Sequence, residues 1–151
     1  MLRFQEQVML LFRDFGASQK MVLSTSLNDK VTSRTMSVVI KDNEFYFQTD
    51  IMFRKYNQIQ NNHNVSLCID NVQIEGACIE IGSPKDNSAF CELFKREFPG
   101  SFERYTQLKN ERLFEVKPRY IQKWMYENGE AFVEKYDFEK KSYNTEQYIR
   151  E

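Results

Sequence analysis

From Glu44 to Asp70 the chain reads EFYFQTDIMFRKYNQIQNNHNVSLCID: an aromatic-rich strand, a loop, a short helix over Phe53–Asn61 and a second strand over Val65–Ile69. The pair Arg54-Lys55 falls where the loop hands over to the helix, and a further cation, Arg34, lies on the strand before. Cations beside a helix start are equipped to hold an anion, because the first turn of a helix already presents unpaired N–H groups. The neighbouring sequence supplies the strands that would carry such a site. Lys20–Ser26 and Val31–Lys41 have strand composition and are separated by the polar turn Asn28-Asp29. Asp42-Asn43 then turns the chain into Phe45-Tyr46-Phe47, a hairpin signature.

The flanks extend this frame. Phe4, Val8, Leu11, Phe12 and Phe15 recur at helical spacing over Leu2–Phe15, with Gly16 placed as a C-terminal stop. Val72–Gly82 is a further strand. Ser83-Pro84 predicts a helix start that runs to about Phe98-Pro99-Gly100, and Ser101–Leu108 a short second helix. Leu113–Val116, Tyr120–Tyr126 and Ala131–Tyr136 read as three separate strands, the last two joined by the tight turn Asn128-Gly129. Beyond Asp137 the chain is polar and reads as a tail, loosely attached or packed on a partner. The expected fold is α+β: a single domain over residues 1–151, with about six to eight mostly antiparallel strands curling into a barrel and helices at its periphery.

Composition narrows the function. With a formal net charge of -1 the chain lacks the basic excess of a general nucleic-acid binder, so any basic site must be local. Cys68, Cys78 and Cys91 are odd in number and form no CxxC, which supports neither a disulfide framework nor a zinc site. They read as small buried hydrophobes in a cytoplasmic protein. The longest early apolar run, Val8–Phe12, is too short for a signal peptide core or a membrane span. One histidine, His63, falls in an Asn-rich turn, and no G-x-S-x-G element or metal-ligand spacing occurs.

Ser33-Arg34-Thr35-Met36-Ser37-Val38, then Phe45-Tyr46-Phe47-Gln48-Thr49, then Arg54-Lys55 followed by Gln58-Ile59 and the Asn61–Leu67 strand together resemble the pyridoxamine 5′-phosphate oxidase-like family. These are FMN-binding split-barrel proteins that include general stress protein-like members. The shared pattern is Arg-x-Met on one strand, an aromatic strand ending in Thr, and a Lys six residues on. Residues 18–82 carry most of the likeness.

The resemblance implies a homodimer with FMN in a pocket shared between subunits, and a small-molecule substrate. Arg34 and Lys55, with Arg54, would bind the phosphate, and Thr49 would add a hydroxyl. Thr35, Met36, Ser37 and Val38 would offer backbone groups to the flavin edge, and Gln48, Asn71 and Trp124 would complete the pocket. The expected activity is a flavin-dependent oxidoreductase with no identifiable acid or base. Alternatives within the resemblance are a non-catalytic flavin or haem carrier and a nitroimidazole reductase-like resistance protein. Phe53 stands where the family often has Ser, and Asn71 where some members have Gln. The oxidases' C-terminal Arg-x-His substrate element is missing, so pyridoxamine phosphate oxidation itself is not expected.

Overall fold

Two tight turns lay down the first three strands. Asn28 and Asp29, and then Asp42 and Asn43, all hold positive φ, between 52° and 64°. Asn and Asp tolerate this region better than other non-glycine residues, and paired positive φ gives the turn that matches the right-handed twist of a hairpin. They join β1 (Ser18–Leu27), β2 (Lys30–Lys41) and β3 (Glu44–Asp50). The structure is a computed structural model that describes residues 2–150; residues 1 and 151 of the expected domain lie outside the described residues.

Helix α1 (Leu2–Phe15) precedes these strands, and α2 (Arg54–Asn61), β4 (Asn64–Ile69), β5 (Val72–Glu80), α3 (Ser88–Glu97), β6 (Glu111–Glu127), β7 (Glu130–Asp137) and β8 (Ser142–Tyr148) follow. The strand order is β3-β2-β1-β4-β5-β6-β7-β8, antiparallel throughout, and β3 also pairs with β6. That extra pairing closes six strands into a barrel, and β7 and β8 continue outward from β6. The split barrel expected from the resemblance is the fold observed.

The alternation of side chains along each strand decides what the barrel holds. Met21, Leu23, Val38, Phe45, Phe47, Leu67, Ile74, Phe114 and Ile121 are fully buried in the interior, and Phe47 stacks on Phe114 with ring centroids 5.4 Å apart. The apolar stripe of α1 joins them, bringing the Phe12 and Phe15 rings 5.4 and 5.7 Å from Phe45. Val39, one residue out of phase with Val38, faces the other way. There it packs with Leu113 of β6 and with Phe90 and Phe94 of α3, a second, smaller core on the barrel's outer surface.

Four expectations need correction. Leu113–Val116 and Tyr120–Tyr126 are halves of one strand, β6, which runs through Pro118. β3 pairs with β6 up to Val116 and β7 pairs from Tyr120, so the proline stands at the changeover between those two neighbours, and on the β5 side it lies opposite Gly76 at an irregularity of the ladder. The β5–β6 register also shifts there. Gly76 opposite Pro118 is held by close approach: a Cβ on it would sit 2.7 Å from the Lys117 carbonyl oxygen.

The tail is not loose, since Ser142–Tyr148 adds β8 to β7 and Tyr143 packs on Tyr136 at 5.0 Å. Ser83-Pro84 opens only a short 3-10 turn, and the true start of α3 is capped by Asn87, whose side chain accepts from the Phe90 N–H. Of the cysteines only Cys78 is buried; Cys68 is exposed and Cys91 half-buried.

Candidate functional site

Strand β2 is longer than its pairing with β3. The ladder between them covers Val39–Lys41 only, whereas β3 runs on beside β6 as far as Asp50. The two strands therefore splay apart below Val39, and a cleft of about 380 Å³ opens between them. On one wall are Thr35, Met36 and Ser37 of β2; on the other are Gln48, Thr49 and Asp50 of β3 and Glu111 of β6. Phe53 and Lys55 close one end. Phe94 of α3 and Ser101, Tyr105 and Leu108 from the segment after it form the rim. That segment includes a π-helical turn, Phe102–Thr106, a rare geometry often found at functional sites.

Backbone polarity is the cleft's first chemical feature. Alternate residues of a strand direct their N–H and C=O to opposite sides. Ile40 N–H donates to Ala17 on the β1 side, so the groups of Val39 point to β3, and those of Ser37 and Thr35 point into the cleft. They are donors and acceptors without a partner strand, which is what a planar heteroaromatic edge would replace.

The second feature is Thr49. Its Oγ1 is buried and has no hydrogen-bond partner among the described residues. A polar atom left so costs about 1–3 kcal/mol, and a ligand that bonds it recovers the loss.

The third is charge. Arg54 and Lys55 open α2, its first turn carries no acidic residue, and the residue before it, Phe53, gives no side-chain cap. Cations at a helix N-terminus face a like-signed dipole end, an arrangement that an anion would relieve. Burial and then Arg34 push the Lys55 ammonium below its ordinary pKa, and burial and then Arg54 do the same to Arg34. Like charge is thus felt at Arg34 and at Lys55, and none of the three cations pairs with a carboxylate within 4.0 Å among the described residues. Lys55 Nζ instead stands 4.5 Å from the centre of the Phe53 ring.

Most residues singled out in the sequence meet here, with five exceptions. Arg34 does not line the cleft. Its guanidinium donates to the Leu23 carbonyl, Thr25, Thr32 and Gln58, and the buried Gln58 side chain is the hub of that network. Arg54 lines a neighbouring hollow with Lys30 and Asn57. Val38 has its side chain wholly inside the barrel, so only its backbone is near. Asn71 and Trp124 bond each other, Asn71 Nδ2 to the Trp124 carbonyl and Trp124 N–H to the Asn71 carbonyl, at the opposite end of β6 from Glu111. Trp124 packs there on Tyr126 and Tyr148. His63 is exposed, as expected, between α2 and β4.

Glu111 was missed, and nothing local in the sequence marks it. It is only 4% exposed yet lies at the start of β6 directly opposite Asp50. Burial and then the Asp50 carboxylate push its pKa up to about 7, against the pull of Lys55. Thr106 was missed too. Fully buried in the π-helical turn, its hydroxyl donates to Gln48 Oε1 at 2.9 Å, which fixes that amide and leaves its N–H groups for the cleft.

The model of the pyridoxamine 5′-phosphate oxidase family matches residues 11–125. No functionally curated protein matches the chain. Among solved structures, PhzG from Burkholderia lata 383, in complex with tetrahydrophenazine-1-carboxylic acid, is similar over 97% of this chain and 91% of its own, with a TM-score of 0.64 and 13% identity. A pyridoxamine 5′-phosphate oxidase-related, FMN-binding protein from Nostoc punctiforme PCC 73102 covers 96% and 94%, at 0.61 and 16%. General Stress Protein 26 from Bacillus anthracis str. Sterne covers 76% and 91%, at 0.61 and 22%. At such identities these likenesses establish the fold. With a family model spanning most of the chain and a split barrel to match, this chain belongs to the pyridoxamine 5′-phosphate oxidase family.

Proposed function

We propose that the cleft binds FMN and that the protein is a flavin-dependent oxidoreductase acting on a small molecule. The observation that carries this is the buried, unpartnered Thr49 hydroxyl in a cleft floored by the open edge of β2. An FMN phosphate would be met by Lys55 and Arg54 and by the uncapped start of α2. Arg34, with both Nη1 and Nη2 engaged, would contribute field rather than contact. The ring edge would take the backbone groups of Thr35 and Ser37, and Gln48, oriented by Thr106, would offer its amide N–H. FMN supplies the hydride or electron transfer, and the protein supplies orientation, electrostatics and exclusion of water.

The unit of function in this reading is a homodimer. Phe53, Tyr105 and Leu108 at the rim are large apolar side chains left exposed, as is Met52 beside them. A second subunit laid over the rim would bury them and complete the pocket. Asn71 and Trp124, remote from this cleft in their own chain, would reach a flavin only across such an interface.

The test is a titration of the purified protein with FMN and with riboflavin, followed by flavin fluorescence. FMN should bind far more tightly, and equal affinities would overturn the phosphate assignment. The visible spectrum of the protein as isolated separates flavin bands from the Soret band of a haem carrier. NAD(P)H oxidation by the loaded protein then separates an oxidoreductase from a carrier.

A further inference from the structure

Glu111 is the one carboxyl whose placement the FMN reading leaves unexplained. It lines the cleft, it is 4% exposed, and its side chain enters no hydrogen bond or ion pair among the described residues. Its neighbours are known from every side. From β3, Asp50 faces it across the ladder, and one Asp50 oxygen is taken by the Met52 N–H at 2.8 Å. From α2, the Lys55 ammonium acts on it by charge, and Arg34 acts in turn on Lys55. From the segment after α3, Tyr105 lines the same cleft. On β6 itself, Arg112 donates to the Lys109 and Glu111 backbone carbonyls and pairs with Glu80 at 3.4 Å, leaving the Glu111 carboxyl untouched. β2 contributes uncharged Thr35 and Ser37. An ionised Glu111 would thus be a buried anion beside another carboxylate, at the place where Lys55 waits for an anionic ligand.

We propose that Glu111 is a ligand-binding residue that works in its protonated form, donating its carboxyl hydrogen to an oxygen of the anion that Lys55 holds. This rests on the FMN reading for the identity of that anion. A neutral carboxyl is a hydrogen-bond donor, whereas an ionised one accepts only and repels phosphate. Binding of one dianion near neutral pH therefore draws one proton from solvent onto Glu111. The raised affinity of this carboxyl for its proton, from burial and Asp50, supplies the donor at little cost. The residue would also discriminate between ligands: an anion with a free acceptor oxygen gains from a donor there, and a neutral ligand without one does not.

Calorimetric titration of the full-length protein with FMN at pH 8, repeated in two buffers of different ionisation enthalpy, counts the protons directly. The parent should take up close to one proton per FMN, and its affinity should fall by up to about tenfold for each pH unit above about 7. Glu111→Gln keeps the shape and a donor amide but cannot titrate. It should bind FMN without uptake and with a flat profile over the same range. Uptake that persists in Glu111→Gln would assign the proton to Lys55 or to the phosphate and overturn the proposal. If neither protein binds FMN at any pH, the cofactor reading fails by itself. The proposal is then decided on carboxyl-labelled parent protein by NMR, with the Glu111 resonance assigned by its loss in the variant. Inorganic phosphate should shift its titration midpoint upward, and a midpoint that phosphate leaves in place would refute it.

Discussion

The two ends of β2 show how one strand can serve two purposes. At Val39 and Ile40 it has partners on both sides, and the inward side chains of Val38 and Ile40 are sealed in the barrel. From Thr35 to Ser37 it is paired with β1 alone, and the side where β3 should lie is a cleft. At the closed end the strand has neighbours on both sides and stability comes from burial. At the open end there are free backbone groups, an orphaned hydroxyl, mutually repelling cations and a carboxyl that would rather be neutral. None of these features favours the empty protein. A fold that places its unsatisfied groups together, within a frame that needs none of them, has a binding site whose properties can change without loss of the barrel.

The sharpest way to break that comparison is a cut into the closed end. Phe114 is fully buried, stacks on Phe47 and meets Tyr56 edge-on at 5.8 Å. Phe114→Ala should cost about 3–5 kcal/mol in denaturant unfolding. At temperatures where the variant remains folded, FMN affinity should be within a few-fold of the parent. A large loss of FMN affinity in the folded variant would mean that the two ends are not separable.

At the open end the corresponding cut is Lys55→Ala. Helix propensity is kept and a cation in a repelling group is removed, so unfolding of the ligand-free protein should change by less than about 1 kcal/mol. FMN affinity should fall by about 1.5–3 kcal/mol, the worth of a charge-assisted hydrogen bond, and riboflavin affinity should hold. If FMN raises the melting temperature of the variant as much as that of the parent, Lys55 is a surface lysine and the cleft's charge is incidental.

Much of the closed end was legible in the sequence, because its signals are local. Asp42-Asn43 and Asn28-Asp29 announce their turns, and the spacing of Phe4, Val8, Leu11, Phe12 and Phe15 announces α1. What was not legible depends on partners distant in the chain. Pro118 reads as a break until the changeover from β3 to β7, and the register shift against β5, show how one strand runs through it. Ser142–Tyr148 has no apolar alternation because most of it is exposed at a sheet edge, and its strand exists through pairing with β7. In the site, Lys55, Thr49 and Gln48 carried a recognisable spacing. Glu111 carried none: its character comes from Asp50, which only the closing of β3 on β6 brings opposite. For Arg34 the spacing was visible, but the network to Gln58, Thr25 and Thr32 that occupies its donors was not.

Glu111 gives the comparison a pH axis. Its pKa is raised in the folded protein from 4.5 to about 7, so the native state binds the proton more tightly than the unfolded chain. By linkage the contribution of this group is most favourable below about pH 4.5 and is lost as pH rises to about 7, at a slope of at most about 1.4 kcal/mol per unit. Glu44, on β3 and raised chiefly by burial and Glu115, slopes the same way, so the useful quantity is the difference between proteins. Chemical denaturation across that window should show the parent losing stability relative to Glu111→Gln. Parallel profiles would mean that water reaches Glu111 freely and that the carboxyl is ordinary.

The smallest expected effect separates the two ends most cleanly, because its sign differs between the empty and the loaded protein. Thr49→Val replaces a hydroxyl by a methyl of nearly the same shape and keeps a β-branched residue in the strand. In a satisfied site such a change is destabilising, since it deletes a hydrogen bond and strands the partner. Thr49 has no partner to strand among the described residues, and the wild-type protein carries the desolvation cost of a buried hydroxyl. Removing it should leave the ligand-free protein unchanged or more stable by up to about 1 kcal/mol. Loaded with FMN, the variant lacks a donor that the ligand would use, so affinity should drop by about 0.5–1.5 kcal/mol. Melting curves with and without FMN, for parent and variant, measure both signs in one experiment. If Thr49→Val destabilises the empty protein, the hydroxyl is already satisfied there, and the open end of β2 holds no orphaned hydroxyl for a ligand to meet.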